Sequence, residues 1–472
     1  MIDCRSKELN IKISFFSILI LLVSLFYRYA INDEGWLGEH AYFLGSEGVV
    51  KSEMFSGFRN SEIQIFNYHK IHTWFGGILI KLFGLNLYLL KGISLVSLMV
   101  LYRYFYKFFK NENRNQIIYL AFSLLLINNH MLTYGFVYRP ELLSTTFGFL
   151  SFYHLMKPQN NKLYLSALFA GLAGVSHLNG LIFIVTGILF LVSKKSWFKS
   201  VQFILFSGIA FSIYFVDIII PKNNIDTFLV QFSSLEPKIS IIQKVISEHF
   251  RMFHSPKEII LFFMFFFISI IPLIRKRIKL SNNIKYILIL GGVFILVTPN
   301  KTDKYLVFLI PFLITLISIC LDNLYKFYTK SQKRFAHISF ILYGLINVIA
   351  SGQLIAKNCS FVQEQNQIVD KILDDSPSSD PKVDCDLLFM YNKGIKKLNL
   401  KGVTYYQYKY RDTHKVFSYK WDNVFKDMFN DERAYIVLSK KTMKSHKYKP
   451  ELYTELYNTL FETDSYIILK RL

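Results

Sequence analysis

Apolar runs of roughly 15–22 residues recur along the first three quarters of the chain, separated by short turns rich in Lys and Arg. Runs of that length outlast a strand, and their number exceeds what one soluble core can bury. A polytopic membrane protein is the expected class. Composition agrees: only 19% of the 472 residues are charged, against about 25% in ordinary soluble domains. The net charge of +22 does not point to nucleic acid, because most of the excess lies in the turns between apolar runs. That is the pattern of positive loops on the cytoplasmic side.

Following the charges predicts about 11 transmembrane helices. Residues 1–12 are basic. The run at 13–31 lacks a small-x-small cleavage site and ends in Tyr27-Arg28-Tyr29, so it reads as an uncleaved helix. Further helices are expected near 86–102, 116–131, 140–156, 201–220, 258–274, 284–298, 305–321 and 337–355. The run 163–193 is basic at both ends (Lys157 and Lys162, then Lys194, Lys195 and Lys199). One long helix would put those ends on opposite faces. Two short helices, turning at His177-Leu178-Asn179-Gly180, keep both inside. With this assignment the inner segments carry 21 Lys and Arg over 60 residues and the outer ones 11 over 98. The N-terminus is therefore inside and the C-terminal part outside. Trp74, Ile78 and Leu82 recur at helical spacing within 71–84, as in a segment lying at the interface.

The expected domain plan is a transmembrane domain over 1–356 and a small extracytoplasmic α/β domain over 357–472. In the second, apolar runs shrink to strand length (DLLFMY, VTYYQYKY, AYIVLSK, SYIILK), with helical patterns near 361–374 and 450–462 and a turn at 374–382. The four cysteines form no metal pattern. Cys359 and Cys385 both fall outside, where a disulfide between them is an option.

The first outer loop, 32–70, is acidic. It carries Asp33, Glu34, Glu39, Glu47, Glu53 and Glu62 against Lys51, Arg59 and Lys70. Ionisable groups near the membrane are costly, so those gathered on one face are site candidates. On the outer face these are Asp33, Glu34, His40, Glu53, His69, Lys91, Arg139, Glu141, His177, Lys301, Asp303 and Lys304. Acids from one loop and cations from several helix ends suit an anionic substrate with one group that must lose a proton. His69 and His72 are closely spaced but have no defined third metal ligand.

Several motifs occur in a telling order. Asp33-Glu34 follows the first helix. Then come KLFGLNLYLLKGISLV, YRPELL, GLAGVSHLNG and KTDKYLVFLIPFL. Over roughly residues 13–325 this resembles the GT-C class of membrane glycosyltransferases, in the branch of protein O-mannosyltransferases and the lipid A aminoarabinose transferase. The resemblance implies a multi-helix core with its active site on the outer face. It implies transfer of a sugar from a polyisoprenyl-phosphate carrier, with inversion. Asp33 then resembles the catalytic aspartate and Glu34 its partner. Lys91 stands for an Arg usual after KLFG, and Lys304-Tyr305 resembles the basic-Tyr pair before the helix containing Pro311. Two departures stand out: NYHKIHTW replaces the prolines common late in the first loop, and His177 stands where Lys is frequent.

The residue types fit a direct displacement. Polyprenyl phosphate leaves well without a protonated acid, so one carboxylate suffices as base, and cations near the phosphate take up its charge. The expected roles are Asp33 as base, and Lys304, Arg139, Lys91 or His177 at the phosphate, with Tyr305 beside Lys304. No cofactor is required; a divalent metal at Asp33 and Glu34 is compatible with the scheme. Partners are the lipid-linked donor, membrane lipids and a glycan, lipid or protein acceptor. A transporter or flippase of lipid-linked saccharides is the alternative, although related halves with broken helices in matching places are not evident. The abundance of Lys, Asn, Ile and Phe suggests an AT-rich bacterial genome, hence undecaprenyl phosphate as carrier and the cytoplasmic membrane as location.

Overall fold

The computed structural model describes residues 33–112, 117–157, 159–220, 224–232, 240–298, 302–325, 328–378, 381–385, 398–414, 421–445 and 453–472, with isolated positions between 12 and 20. The apolar segment 13–31 thus lies mostly outside the described residues.

A helical bundle carries a small C-terminal sheet. In chain order the main helices are α1 (Glu34–Glu47), α2 (Lys70–Phe83), α3 (Leu87–Asn111), α4 (Ile118–Ile127), α5 (Asn129–Gly135), α6 (Pro140–Leu155), α7 (Asn160–Ser176), α8 (Leu181–Ser193) and α9 (Trp197–Ser212). They continue with α10 (Pro256–Met264), α11 (Asn282–Val297), α12 (Ile310–Leu324) and α13 (Lys330–Asp375). Among the described residues four helical stretches are long and apolar enough to cross a membrane: Leu87–Asn111, Trp197–Ile219, Pro256–Ile274 and Lys330–Ala356. Four more apolar helices are shorter. Their outward faces are hydrophobic; Phe198, Leu205, Ile209 and Ile219 are all exposed on one stretch, as lipid contact requires. The chain is a multi-pass membrane protein.

The bundle centre is aromatic. Phe149 packs 5.4 Å from Phe312, and Phe152 lies 5.0 Å from Tyr286. The expected break at 176–180 is present. α7 stops at Ser176, Leu178–Gly180 forms a 3-10 turn, and α8 begins at Leu181. His177 closes the turn, its Nδ1 accepting the Asn179 N–H at 3.0 Å. Gly180 is needed for contact rather than for dihedral freedom. A Cβ there would sit 2.2 Å from the Ala173 carbonyl oxygen and 2.4 Å from Ser144 Oγ, and Ser144 already donates to that carbonyl at 2.8 Å. Gly180→Ala is expected to destabilise the bundle by about 1–3 kcal/mol. A lowered melting temperature in detergent checks this; an unchanged one would mean the turn repacks freely.

The first loop opens with α1 and ends at the start of α2. The two helices lie so close that a Cβ on Gly76 would come 2.8 Å from the Ala41 Cβ. α2 is amphipathic as expected at an interface, with Phe75, Ile78, Leu82 and Phe83 exposed. A second loop, through Gln231, braces the first. Arg59 Nη1 donates to the Val230 carbonyl at 2.9 Å, and the Phe66 N–H donates to Gln231 Oε1 at 2.8 Å.

α13 runs 46 residues without interruption, through the expected boundary at 356/357 and into the C-terminal domain. There a five-stranded sheet has the order β2-β1-β3-β5-β4, formed by β1 (Lys382–Cys385), β2 (Asn399–Gly402), β3 (Tyr435–Ser439), β4 (Tyr457–Glu462) and β5 (Tyr466–Arg471). β1 is parallel to β2 and β3, whereas β5 is antiparallel to β3 and β4. AYIVLSK and SYIILK are strands as expected. VTYYQYKY is instead the start of a helix, Val403–His414: Val403 and Tyr406, three apart, are both buried, and this helical face overrides the strand preference of its residues. The pattern at 450–462 reads as helical but ends in β4, where pairing with β5 decides the conformation. DLLFMY and the Cys359 side chain lie outside the described residues; Cys385 is buried in β1. Met54 and Phe55 of the first loop are buried in this domain's core, and the Gly402 N–H donates to the Met54 carbonyl at 3.3 Å.

Candidate active site

Three distant parts of the chain meet at Asp33. Its Oδ2 accepts from Arg139 Nη1 at 2.7 Å and from Lys304 Nζ at 3.4 Å. Asp33 precedes α1 but makes no side-chain capping bond, so its carboxylate turns toward the cations instead of the helix end. Burial works against its ionisation, yet the Arg139 and Lys304 charges outweigh burial and hold the carboxyl below its ordinary value. Its side chain remains 34% exposed, which leaves it open to a substrate.

Each partner is fixed from behind. Arg139 Nη2 donates to Glu141 Oε1 at 2.6 Å, and Glu141 is fully buried. Glu34, also fully buried, accepts the Tyr138 N–H at 2.5 Å. Ser94 Oγ donates to the Val137 carbonyl at 2.6 Å. The extended residues before α6 are thus clamped between α1 and α3, and Arg139 points at Asp33. Lys91, one turn before Ser94, is fully buried.

The far wall is aromatic and imidazole-rich. His69 stacks on His177 with centroids 4.6 Å apart, and Tyr305 meets His177 edge-on at 5.8 Å. Burial keeps His69 neutral, pushed down to about 4. Lys304 lies 5.4 Å from the Tyr305 ring centre. Asp303, Lys304 and Tyr305 open one 3-10 turn, Asp303–Phe308. An apolar cleft of about 510 Å³ begins at Leu143, one turn along α6 from Arg139, and continues along Val96 and Phe147.

Of the residues singled out in sequence, Asp33, Arg139 and Lys304 are in direct contact, and His177 and Tyr305 form the adjoining wall. Glu53 instead pairs with Lys51 at 3.8 Å. His40 is buried 4.7 Å from Trp36, with no hydrogen bond to either ring nitrogen among the described residues. His72 stacks on Tyr138 at 4.0 Å, whereas His69 stacks on His177. Lys301 lies outside the described residues. Sequence reasoning missed the buried Lys70 Nζ to Asp217 Oδ2 pair at 2.7 Å, which ties the first loop to the helix end after α9. The available signal was Asp217 itself, an acid inside the apolar run 201–220.

Glu39 is the buried support of the loop. Its carboxylate accepts from Ser52 Oγ at 2.5 Å, from the Glu53 N–H at 2.8 Å and from the Met54 N–H at 3.1 Å. Burial nevertheless raises it from 4.5 to about 7. An acid raised on folding holds its proton more tightly when folded. Its stabilising contribution is therefore complete below about pH 4.5 and is lost as pH climbs to about 7. Glu39→Gln keeps the acceptor oxygen and lets the amide donate to Ser52. At pH 8 the variant is expected to be more stable than wild type by about 3 kcal/mol, with the difference vanishing near pH 4.5. Parallel melting curves across that range, superimposed at every pH, would exclude the effect.

No family model and no curated protein matches the sequence. Solved structures share the fold, among them two of one protein. ArnT from Cupriavidus metallidurans bound to undecaprenyl phosphate is 12% identical and aligns over 99% of this chain and 98% of its own, with a TM-score of 0.64. ArnT from the same organism in the apo state gives 12% identity, the same coverage and a TM-score of 0.60. The fold is thus that of the aminoarabinose transferase branch which the ordered motifs resemble.

Proposed function

We propose that the chain is an integral-membrane glycosyltransferase that moves a sugar from a polyisoprenyl-phosphate carrier to an acceptor hydroxyl, inverting the anomeric carbon. The observation that carries this reading is the partly exposed Asp33 carboxylate held between Arg139 and Lys304, on the fold of a protein solved with undecaprenyl phosphate.

In the proposed step the acceptor oxygen bonds to C1 as the C1–O bond to phosphate breaks. Asp33 takes the hydroxyl proton, and polyprenyl phosphate departs with its charge on Arg139 and Lys304. A single displacement inverts C1. While the donor is absent the two cations keep Asp33 ionised. An arriving phosphate shares them and so strengthens the base as the acceptor meets it. His177 and Tyr305 flank the sugar, and Glu34 and Lys91 support the site from behind. The scheme needs no metal at Asp33, where two cations already stand. The cleft beginning at Leu143 suits the apolar chain of the carrier. With segment 13–31 as the first pass, 11 helices cross the cytoplasmic membrane, and the site and C-terminal domain face outward.

The test is a transfer assay in proteoliposomes with a panel of polyprenyl-phosphate sugars, following release of polyprenyl phosphate. Release that depends on added acceptor is expected. No release from any donor, with lipid-linked sugar moving between leaflets instead, would replace the transferase by the flippase.

A further inference from the structure

Asp303, next in sequence to Lys304, meets His130 and Glu258, so that three segments converge: α5, α10 and the 3-10 turn. One ligand atom from each lies within 4.8 Å of the other two. We propose that these three residues form a binding site for a divalent transition ion of the zinc type, which fixes the turn that presents Lys304.

The donor set selects the ion. One imidazole nitrogen and two carboxylates are ligands that zinc accepts at about 2.0–2.2 Å. Magnesium and calcium favour oxygen alone. The arrangement is also short of positive charge. Two carboxylates face each other, and Asp303 makes no hydrogen bond or ion pair among the described residues. His130 Nε2 and Glu258 Oε1 share a hydrogen bond, and both residues are buried. The ion would stand between His130 Nε2 and Glu258 Oε1 in place of that hydrogen bond.

The surroundings are built to hold the ligands. Ser255 Oγ bonds the other Glu258 oxygen, and Tyr134 stacks on the His130 ring at 6.4 Å. Asn129, adjacent to His130, is anchored to α13 through Asn347 Oδ1 at 2.8 Å and Ser351 Oγ at 3.0 Å. Lys257 stands 3.8 Å from Glu258 and also donates to Asn129 Oδ1 at 2.8 Å. Because Asp303 immediately precedes Lys304, an ion here would tie the phosphate-facing turn to α5 and α10.

The test uses full-length protein, untagged, purified in detergent and stripped with a chelator. It is dialysed against zinc chloride and its bound zinc is measured. One zinc per wild-type chain is expected, with affinity at least about tenfold weaker in His130→Gln and in Asp303→Asn. Glutamine preserves the hydrogen bond to Glu258, and Asp303→Asn is isosteric at a half-buried position. Both are expected to melt with wild type when zinc is absent, and only wild type should gain stability when zinc is added. Wild type without zinc would reduce the cluster to a His130–Glu258 pair and overturn the site. So would zinc retained equally by both variants. The readout is bound metal, so it stands or falls independently of sugar transfer.

Discussion

Asp33→Asn is expected to lower the rate of sugar transfer by about 10²–10⁴-fold while leaving the chain folded. Asparagine keeps the shape and one acceptor oxygen for Arg139, so the contact at 2.7 Å has a substitute. What it removes is the proton acceptor. It also removes the negative charge that Arg139 and Lys304 share, so polyprenyl phosphate should bind the variant as tightly as wild type, or more tightly. The two measurements are turnover in the transfer assay and equilibrium binding of polyprenyl phosphate. Lost turnover with retained binding identifies the base. Undiminished turnover would remove Asp33 from catalysis, and loss of both would make it a structural residue.

The second large effect concerns stability. Arg139→Met should destabilise the protein by about 3–5 kcal/mol, because it strands a buried carboxylate. Glu141 is fully buried and accepts from both Nε and Nη2 of Arg139. The expected result is poor extraction and a strongly lowered melting temperature. Adding Glu141→Gln to Arg139→Met should restore most of the melting temperature, since no isolated charge then remains. Transfer should stay low, since one phosphate-holding cation is still missing. A double variant that recovers transfer together with stability would show that Arg139 serves only Glu141. An Arg139→Met variant that melts with wild type would show that the pair contributes little.

The helices were legible because lipid leaves few choices. A long apolar run bounded by Lys and Arg has one stable arrangement, and even the break at His177-Leu178-Asn179-Gly180 followed from charge at its ends. The candidate residues Asp33, Arg139 and Lys304 stood out for a related reason, as costly ions that the charge rule puts on one face, and they are in contact. Their pairings were not legible. Glu34 binds a backbone N–H at Tyr138, and nothing in either residue type announces that. Lys70 and Asp217 are 147 positions apart, so their contact depends on how two loops fold together. In the C-terminal domain, VTYYQYKY has strand-forming residues, but its burial follows a helical face. Local preference there yields to packing against Met54 and Phe55, which belong to another part of the chain.

That same packing has a mechanical side. The C-terminal domain is joined to the bundle by α13, a single rod of 46 residues and therefore about 69 Å long. It is pinned a second time where Met54 and Phe55 enter its core. A body held at two points can turn only about the line between them, and a continuous helix resists even that. The domain is thus a fixed wall rather than a door. On the proposed function, access of an acceptor to Asp33 would therefore not depend on a swing of this domain.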